Sequence, residues 1–131
     1  MMPCRHLNSL TWSTLKLKTD IQFRLRLRRG DEIVIGPGKI ALLEAIAATG
    51  SISAAARALE MSYRRAWLLT DEMNRGLKLP VIDAKSGGSK GGGAALTPTA
   101  MEIIARYRAI EKIALQAARA DLDALLELIA K

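Results

Sequence analysis

Cysteine and histidine each occur once, as Cys4 and His6. A single thiol excludes a disulfide framework within one chain, and one imidazole beside it cannot complete a His/Cys metal cage, so no metal or cofactor is expected. No apolar run is long enough to span a bilayer, and the first twenty residues lack the continuous hydrophobic block of a signal peptide. A reducing cytoplasm is the expected location, with no membrane partner. Enzyme chemistry is equally thin. No nucleophile, base and orienter can be built around a lone histidine and cysteine. Asp71 and Glu72 are adjacent and point in different helical directions, and Asp121 with Asp123 form no better a facing pair.

What the chain has is positive charge and apolar periodicity. Its 131 residues are half apolar, enough for one core with an extra helix rather than two independent domains. A net charge of +7 favours an anionic partner, with RNA, DNA and acidic lipid all candidates. The distribution is more telling. Residues 1–30 hold seven Lys or Arg against one acid, residues 61–93 six against three, and residues 94–131 five of each. The last segment is therefore a poor candidate for phosphate contact.

The centre of the chain, GSISAAARALEMSYRRAWLLTDEMN over residues 50–74, reads as two short helices with a tight connection. Ser53 can cap a helix whose apolar positions are Ala55, Ala56 and Leu59. Ser62 can cap a second one carrying Ala66, Leu69 and Met73 inward. Ala54, Ala55 and Ala56 leave little side chain between the helices, so their axes can approach closely. Tyr63, Arg64 and Arg65 project from the start of the second helix, where guanidinium groups could bond guanine edges or neutralise phosphates. An ordinary helical hairpin with solvated arginines is the competing reading.

On the amino-terminal side, Ile21, Phe23, Leu25 and Leu27 alternate with Gln22, Arg24, Arg26 and Arg28, the pattern of a half-buried strand whose arginine face is a wet surface before it is a phosphate contact. A turn at residues 29–32 leads to a second short strand at residues 33–35. Pro37 or Gly38 then opens a helix with Ile40, Leu43, Ile46 and Ala47 at helical steps, ending on a glycine cap at Gly50. On the carboxyl side, Val81 and Ile82 give a strand, Ala94 to Leu96 a return strand, and the glycine-rich loop between them carries Lys85, Ser89 and Lys90. Strand, loop and strand after a helix-turn-helix suggest a wing that lies along a phosphate backbone. As a nucleotide cradle the loop fails, because it has no glycine-lysine-serine/threonine sequence and no helix starts on it. An idle linker is the remaining alternative.

Thr97-Pro98 and the capping box Thr99 to Glu102 both resemble helix starts. Beyond them Ile103, Tyr107, Ile110, Ala114, Ala118, Leu122, Leu125 and Ile129 form one stripe over about seven turns at 3.6 residues per turn. A helix that long overhangs a small core, so a second copy is the expected cover, against the alternative that it breaks near Asp121 and folds back. The expected organisation is a flexible leader at 1–20, a winged helix-turn-helix at 21–97 and a long dimerisation helix at 98–131: a mainly α fold with a small β-sheet.

GPGKIALLEAIAATGSISAAARAL, MSYRRAWLLTDEMN and SGGSKGGGAALTPTA, in that order, resemble the amino-terminal DNA-binding region of the ModE family of molybdate-responsive transcriptional regulators, and more distantly the winged helix of LysR-type regulators. The similarity runs from about Ile33 to Tyr107. It implies a double-stranded DNA partner, a homodimer, and DNA contacts from Ser62, Tyr63, Arg64 and Arg65 and, in the wing, Lys85, Ser89 and Lys90; Ser53, at the start of the first of the two helices, is a further candidate for DNA contact. Arg64 and Arg65 are expected to give selectivity, and the wing lysines salt-sensitive affinity. In that family, small β-barrel domains that bind molybdate follow the long helix. No segment for one is left before Lys131, so no molybdate site is expected in these residues. The alternative is an interaction protein that heterodimerises with a full-length regulator and modulates its DNA binding.

Overall fold

The computed structural model describes residues 18–85 and 93–130, except the side chains of Ala84 and Lys85. Most of the expected leader, with Cys4 and His6, lies outside the described residues, as do Ser89 and Lys90. The elements run β1 (Leu27–Arg29), β2 (Glu32–Ile35), α1 (Pro37–Thr49), α2 (Ile52–Ala58), α3 (Tyr63–Gly76), β3 (Ile82–Lys85), β4 (Gly93–Leu96), α4 (Pro98–Ala117) and α5 (Arg119–Glu127). Residues 23–119 form one compact unit, and the described residues 18–22 and 120–130 group separately. Among the described residues no helix is long and apolar enough to cross a membrane.

The fold is mainly α with two small antiparallel hairpins, β1–β2 and β3–β4. Helix α1 is the hub. Pro37 at its first position supplies a preset φ, and Gly50 closes it at φ 81°, its N–H returning to the Ile46 carbonyl. Ile40, Leu42, Leu43 and Ile46 are all at most 1% exposed, and α2, α3, α4 and β4 pack around them. Ala47, expected on the inner face, is exposed; Leu42 takes an inner place instead. Met73 of α3, Val81, Ala94 and Ala100 complete the core.

The expected strand over residues 21–27 is corrected to Leu27–Arg29. The register explains the difference: Leu27 pairs with Ile35, so any earlier residue would have to pair with Gly36 or Pro37. Pro37 has no N–H and already belongs to α1, so the ladder ends there. Residues 23–26 are still held, because the Tyr107 hydroxyl donates to the Leu25 carbonyl at 2.7 Å. Tyr107 is thus corrected as well. Read from the stripe as facing a second copy, it is 3% exposed in the chain's own core. Burial there raises its pKa.

Thr97 caps α4, accepting from the Ala100 N–H at 3.2 Å while its hydroxyl donates to the Pro80 carbonyl at 2.7 Å. The helix starts on Thr97-Pro98, not on the Thr99 box. It runs for 20 residues, about 30 Å at 1.5 Å per residue, and stops at Ala118, whose φ of −99° and ψ of 12° leave the helical region. The seven-turn stripe is therefore divided between α4 and α5.

Between α1 and α4, Arg108 donates to both Glu44 carboxylate oxygens, at 2.9 and 2.6 Å, and to Glu111 at 2.7 Å. The Arg108 hydrogen bonds hold the Glu44 pKa below its ordinary value of 4.5. A depressed folded pKa gives stability that is whole above pH 4.5 and is lost as pH falls through the lower folded value. The two side chains are 38% and 46% exposed, so the effect is under about 1 kcal/mol. Glu44→Gln should flatten this part of the stability profile between pH 5 and pH 3, checked by urea unfolding at each pH.

Candidate nucleic-acid interface

Helix α2, its turn and α3 form the expected helix-turn-helix, but the first cap is Ser51, not Ser53. The Ser51 hydroxyl accepts from the Ala54 N–H at 2.9 Å. Ser53 lies in the first turn, half-buried, and its hydroxyl accepts from Arg57 at 3.3 Å. Ala55 and Ala56 are buried at 0% and 2%, and their small size lets α2 pack closely on its neighbours. The turn closes by two hydrogen bonds, Met61 N–H to the Ala56 carbonyl at 2.9 Å and Glu60 N–H to the Arg57 carbonyl at 3.1 Å. This is a Schellman closure, with Glu60 at φ 57° in the left-handed position that glycine normally fills.

Ser62 caps α3 as expected, accepting from the Arg65 N–H at 3.0 Å. At the other end the Asn74 side-chain oxygen accepts from the Val81 N–H at 2.7 Å, fixing the exit towards the wing. Ala66, Thr70 and Met73 are buried and define the inner face. At about 100° per residue, Arg64, Leu68 and Arg75 stand opposite them, Tyr63 and Trp67 lie on one flank, and Arg65, Leu69 and Glu72 lie on the other. Tyr63, Trp67 and Leu68 are 55%, 46% and 40% exposed and share a shallow surface with Arg64. Arg75 is held by Asp71 at 2.9 Å.

The adjacent arginines are therefore separated. Arg64 sits at the centre of the outward face, whereas Arg65 lines a cleft with Arg24 and Arg26 from the amino-terminal arm. Leu68 and Arg75 are surface residues that the sequence reading did not single out, although helical spacing from Ala66 and Met73 points to them.

The β3–β4 ladder pairs Ile82 with Leu96 and Lys85 with Gly93, the expected wing stem. Its root is tied to the helix-turn-helix: Ser51 bridges Gly93, and the Ala94 N–H donates to the Gly50 carbonyl at 3.1 Å. Lys85 is the last residue of β3; its side chain, with Ser89 and Lys90, lies outside the described residues.

Of the other residues in the stripe, Ile103 and Ala114 are half-buried on α4, Ile110 is 47% exposed, and Ala118 is half-buried at the break. On α5, Leu122 is half-buried and Leu125 is 61% exposed, and Ile129, just beyond the helix, is 49% exposed. Ile113, outside the stripe, is 63% exposed. Leu25, Leu27, Ile35, Leu77, Ile103 and Ile110 line an apolar groove of about 270 Å³ beside α4. Among the described residues no group of three His, Cys, Asp or Glu is placed to hold a metal.

No protein-family model matches the chain. Over 77 residues, 59% of the chain, it is 52% identical to the molybdenum-pterin-binding protein MopB of Rhodobacter capsulatus, 28% of which is covered. It is 44% identical over 73 residues to the molybdenum transport protein ModE of Azotobacter vinelandii, covering 56% of the chain and 27% of that protein. To the DNA-binding transcriptional dual regulator ModE of Escherichia coli it is 33% identical over 97 residues, 74% of the chain and 36% of the regulator. The chain thus spans about a third or less of the length of these relatives. In structure it is similar to the protein in the crystal structure of the CbnR_DBD–DNA complex, with a TM-score of 0.53, 19% identity, and coverage of 67% of this chain and 95% of that one. The winged-helix fold and the resemblance to ModE-type regulators are shown by these matches.

Glu60 offers a direct check on the turn. A non-glycine residue in the left-handed region costs roughly 1–2 kcal/mol, partly offset by the backbone freedom that glycine loses on folding. Glu60→Gly should raise the unfolding free energy by about 0.5–1 kcal/mol in urea titration, and a decrease in stability would reject the strained-turn description.

Proposed function

We propose that this chain is a transcriptional regulator that binds double-stranded DNA sequence-specifically as a homodimer. Helix α3 enters the major groove and the wing follows the flanking backbone. The observation that carries this reading is the position of Arg64, centred on the exposed face of a helix fixed by Ser62 at its start and Asn74 at its end. A guanidinium there can bond guanine O6 and N7 in pairs, with Tyr63, Trp67 and Leu68 available for thymine methyls or sugar edges. Ser62, spent on the cap, serves by setting the helix entry, and Ser53 on α2 faces the backbone at most. Lys85, Ser89 and Lys90 supply non-specific affinity. The relatives' description as regulators supports the same reading.

The proposed dimer contact uses Ile103, Ile110 and Ala114 on α4, with Ala118 at its end, Leu122 and Leu125 on α5, and Ile129 just beyond it. Ile110, Ile113 and the neighbouring groove leave an apolar surface in contact with water. A second copy covers it and places two recognition helices roughly 34 Å apart, one turn of duplex. Genes for molybdenum transport, named in the relatives, are the first promoters to test.

Binding of the full chain to such promoter duplexes and to random duplex, followed by fluorescence anisotropy, tests the proposal. Arg64→Ala should weaken selected-site binding roughly tenfold or more, as expected when a bidentate base contact of 1–3 kcal/mol is removed, and random-duplex binding much less. Equal weakening on both would reduce Arg64 to a backbone contact. Ile110→Glu should raise the dimer dissociation constant at least tenfold in sedimentation equilibrium, since burying an isoleucine contributes about 1.5–3 kcal/mol. An unchanged constant would move the interface elsewhere.

A further inference from the structure

The amino-terminal arm ends beside the recognition helix, and what lies between them is polar. A cleft of about 480 Å³ opens between residues 24–26, the β1–β2 turn, the start of α1 and one flank of α3. Arg24, Arg26 and Arg65 line it together with Lys39 and three carboxylates. Each carboxylate already has a cation: Glu72 has Lys39 at 3.0 Å, Glu32 has Arg29 at 3.3 Å and Asp31 has Arg28 at 3.8 Å. Arg24 is engaged within the chain. Among the described residues no carboxylate forms an ion pair with Arg26 or Arg65. Two guanidinium charges thus line an open cleft without an ion-pair partner among the described residues.

We propose that this cleft is a second DNA contact, taking a backbone phosphodiester at the edge of the groove that α3 enters. The inference rests on the DNA-binding reading and adds an arm to it. Three observations favour a phosphodiester at this place. Arg65 follows Arg64 by one residue, so a helix that turns Arg64 to the bases turns its Arg65 flank towards a bordering strand. Arg26 is not on a loose tail: the Tyr107 hydroxyl pins the Leu25 carbonyl beside it, and its side-chain stem lies against Gly36, where a Cβ placed on that glycine would sit 3.6 Å from Arg26 Cγ. The planar guanidinium also suits two phosphate oxygens, and the residues around it offer charge and openness rather than an apolar enclosure.

The test uses the full chain, with Arg26→Ala and Arg26→Lys compared by circular dichroism to confirm folding. Duplex affinity is measured between 50 and 200 mM salt, and phosphate contacts are mapped by ethylation interference. Giving up one phosphate per protomer, two per dimer, should lower the slope of log affinity against log salt by about 1.8, equivalent to about sixtyfold in affinity at 0.1 M salt. Arg26→Ala should show this on selected and random duplex alike and no longer show interference at one phosphate per half-site. Arg26→Lys should keep most of the slope. If the unaltered chain binds duplex but Arg26→Ala changes neither slope nor interference, the cleft is no DNA contact and the functional reading stands. If inorganic phosphate at about 10 mM saturates the cleft, seen in the Arg26 Nε–H resonance, while that slope is unmoved, it is a free-anion site and the inference fails. If the unaltered chain binds no duplex at 50 mM salt, the functional reading itself falls and takes the inference with it.

Discussion

One buried cation links the three parts of the molecule that the interface needs. Lys39, near the start of α1, is 7% exposed; its ammonium donates to the Ile33 carbonyl in β2 and lies 3.0 Å from a Glu72 oxygen on α3. The hairpin, the hub helix and the recognition helix therefore meet at one group. Removing the ammonium would leave a partly buried carboxylate without its cation, and breaking such a pair costs more than forming it contributes. The lysine also decides the electrostatics above it. With Glu72 neutralised from below, the flank of α3 presents Arg65 without an opposing charge.

That arrangement separates two neighbours in sequence that look interchangeable. Arg64 and Arg65 are about 100° apart on the helix, enough to put one at the outward centre and the other over the cleft. A single pair of arginines thus divides into a group suited to base edges and a group suited to a phosphate, a division that phosphate-positioned readers use generally. The amino-terminal arm acquires its meaning from the same geometry. Its arginines precede the ladder instead of forming its wet face, because the β2 partner runs out at Gly36 and Pro37.

Much of the scaffold was legible from short-range chemistry. Ser62, Thr97, Pro37 and Gly50 act where their local sequence places them, because a cap or a left-handed closure depends on four or five residues. The wing stem was legible for the same reason. Two of the misreadings involve distant partners. Ser51 takes the cap from Ser53 because its backbone is fixed by a bridge to Gly93, more than forty residues away. Tyr107 belongs to a helical stripe, and periodicity shows that a face is covered without showing by what. The cover at Tyr107 is the arm at Leu25, from the far end of the chain. Neither the Arg26–Arg65 cleft nor the Lys39 link is visible in any window of sequence, since each joins elements that meet only in the folded chain.

Helix α4 shows why charge counts along a chain are a useful but incomplete guide. Two of its three basic residues are occupied: Arg106 pairs with Glu102 at 2.8 Å, and Arg108 with Glu44 and Glu111. The helix adds apolar area and little net charge, while Arg26, Arg64 and Arg65, without carboxylate ion pairs among the described residues, stand on the arm and on α3. Like charges repel across a two-fold axis, so a copy-to-copy contact is least opposed where charges are internally matched. The balanced, apolar helix is on those grounds the better surface for a second copy, and the unbalanced flank of α3 the better surface for a polyanion. Both follow from where the carboxylates are: Glu102 and Glu111 on α4 and Glu44 on α1 meet Arg106 and Arg108 of α4, and beside α3 the carboxylates meet Lys39, Arg28 and Arg29 instead of the arginines that line the cleft.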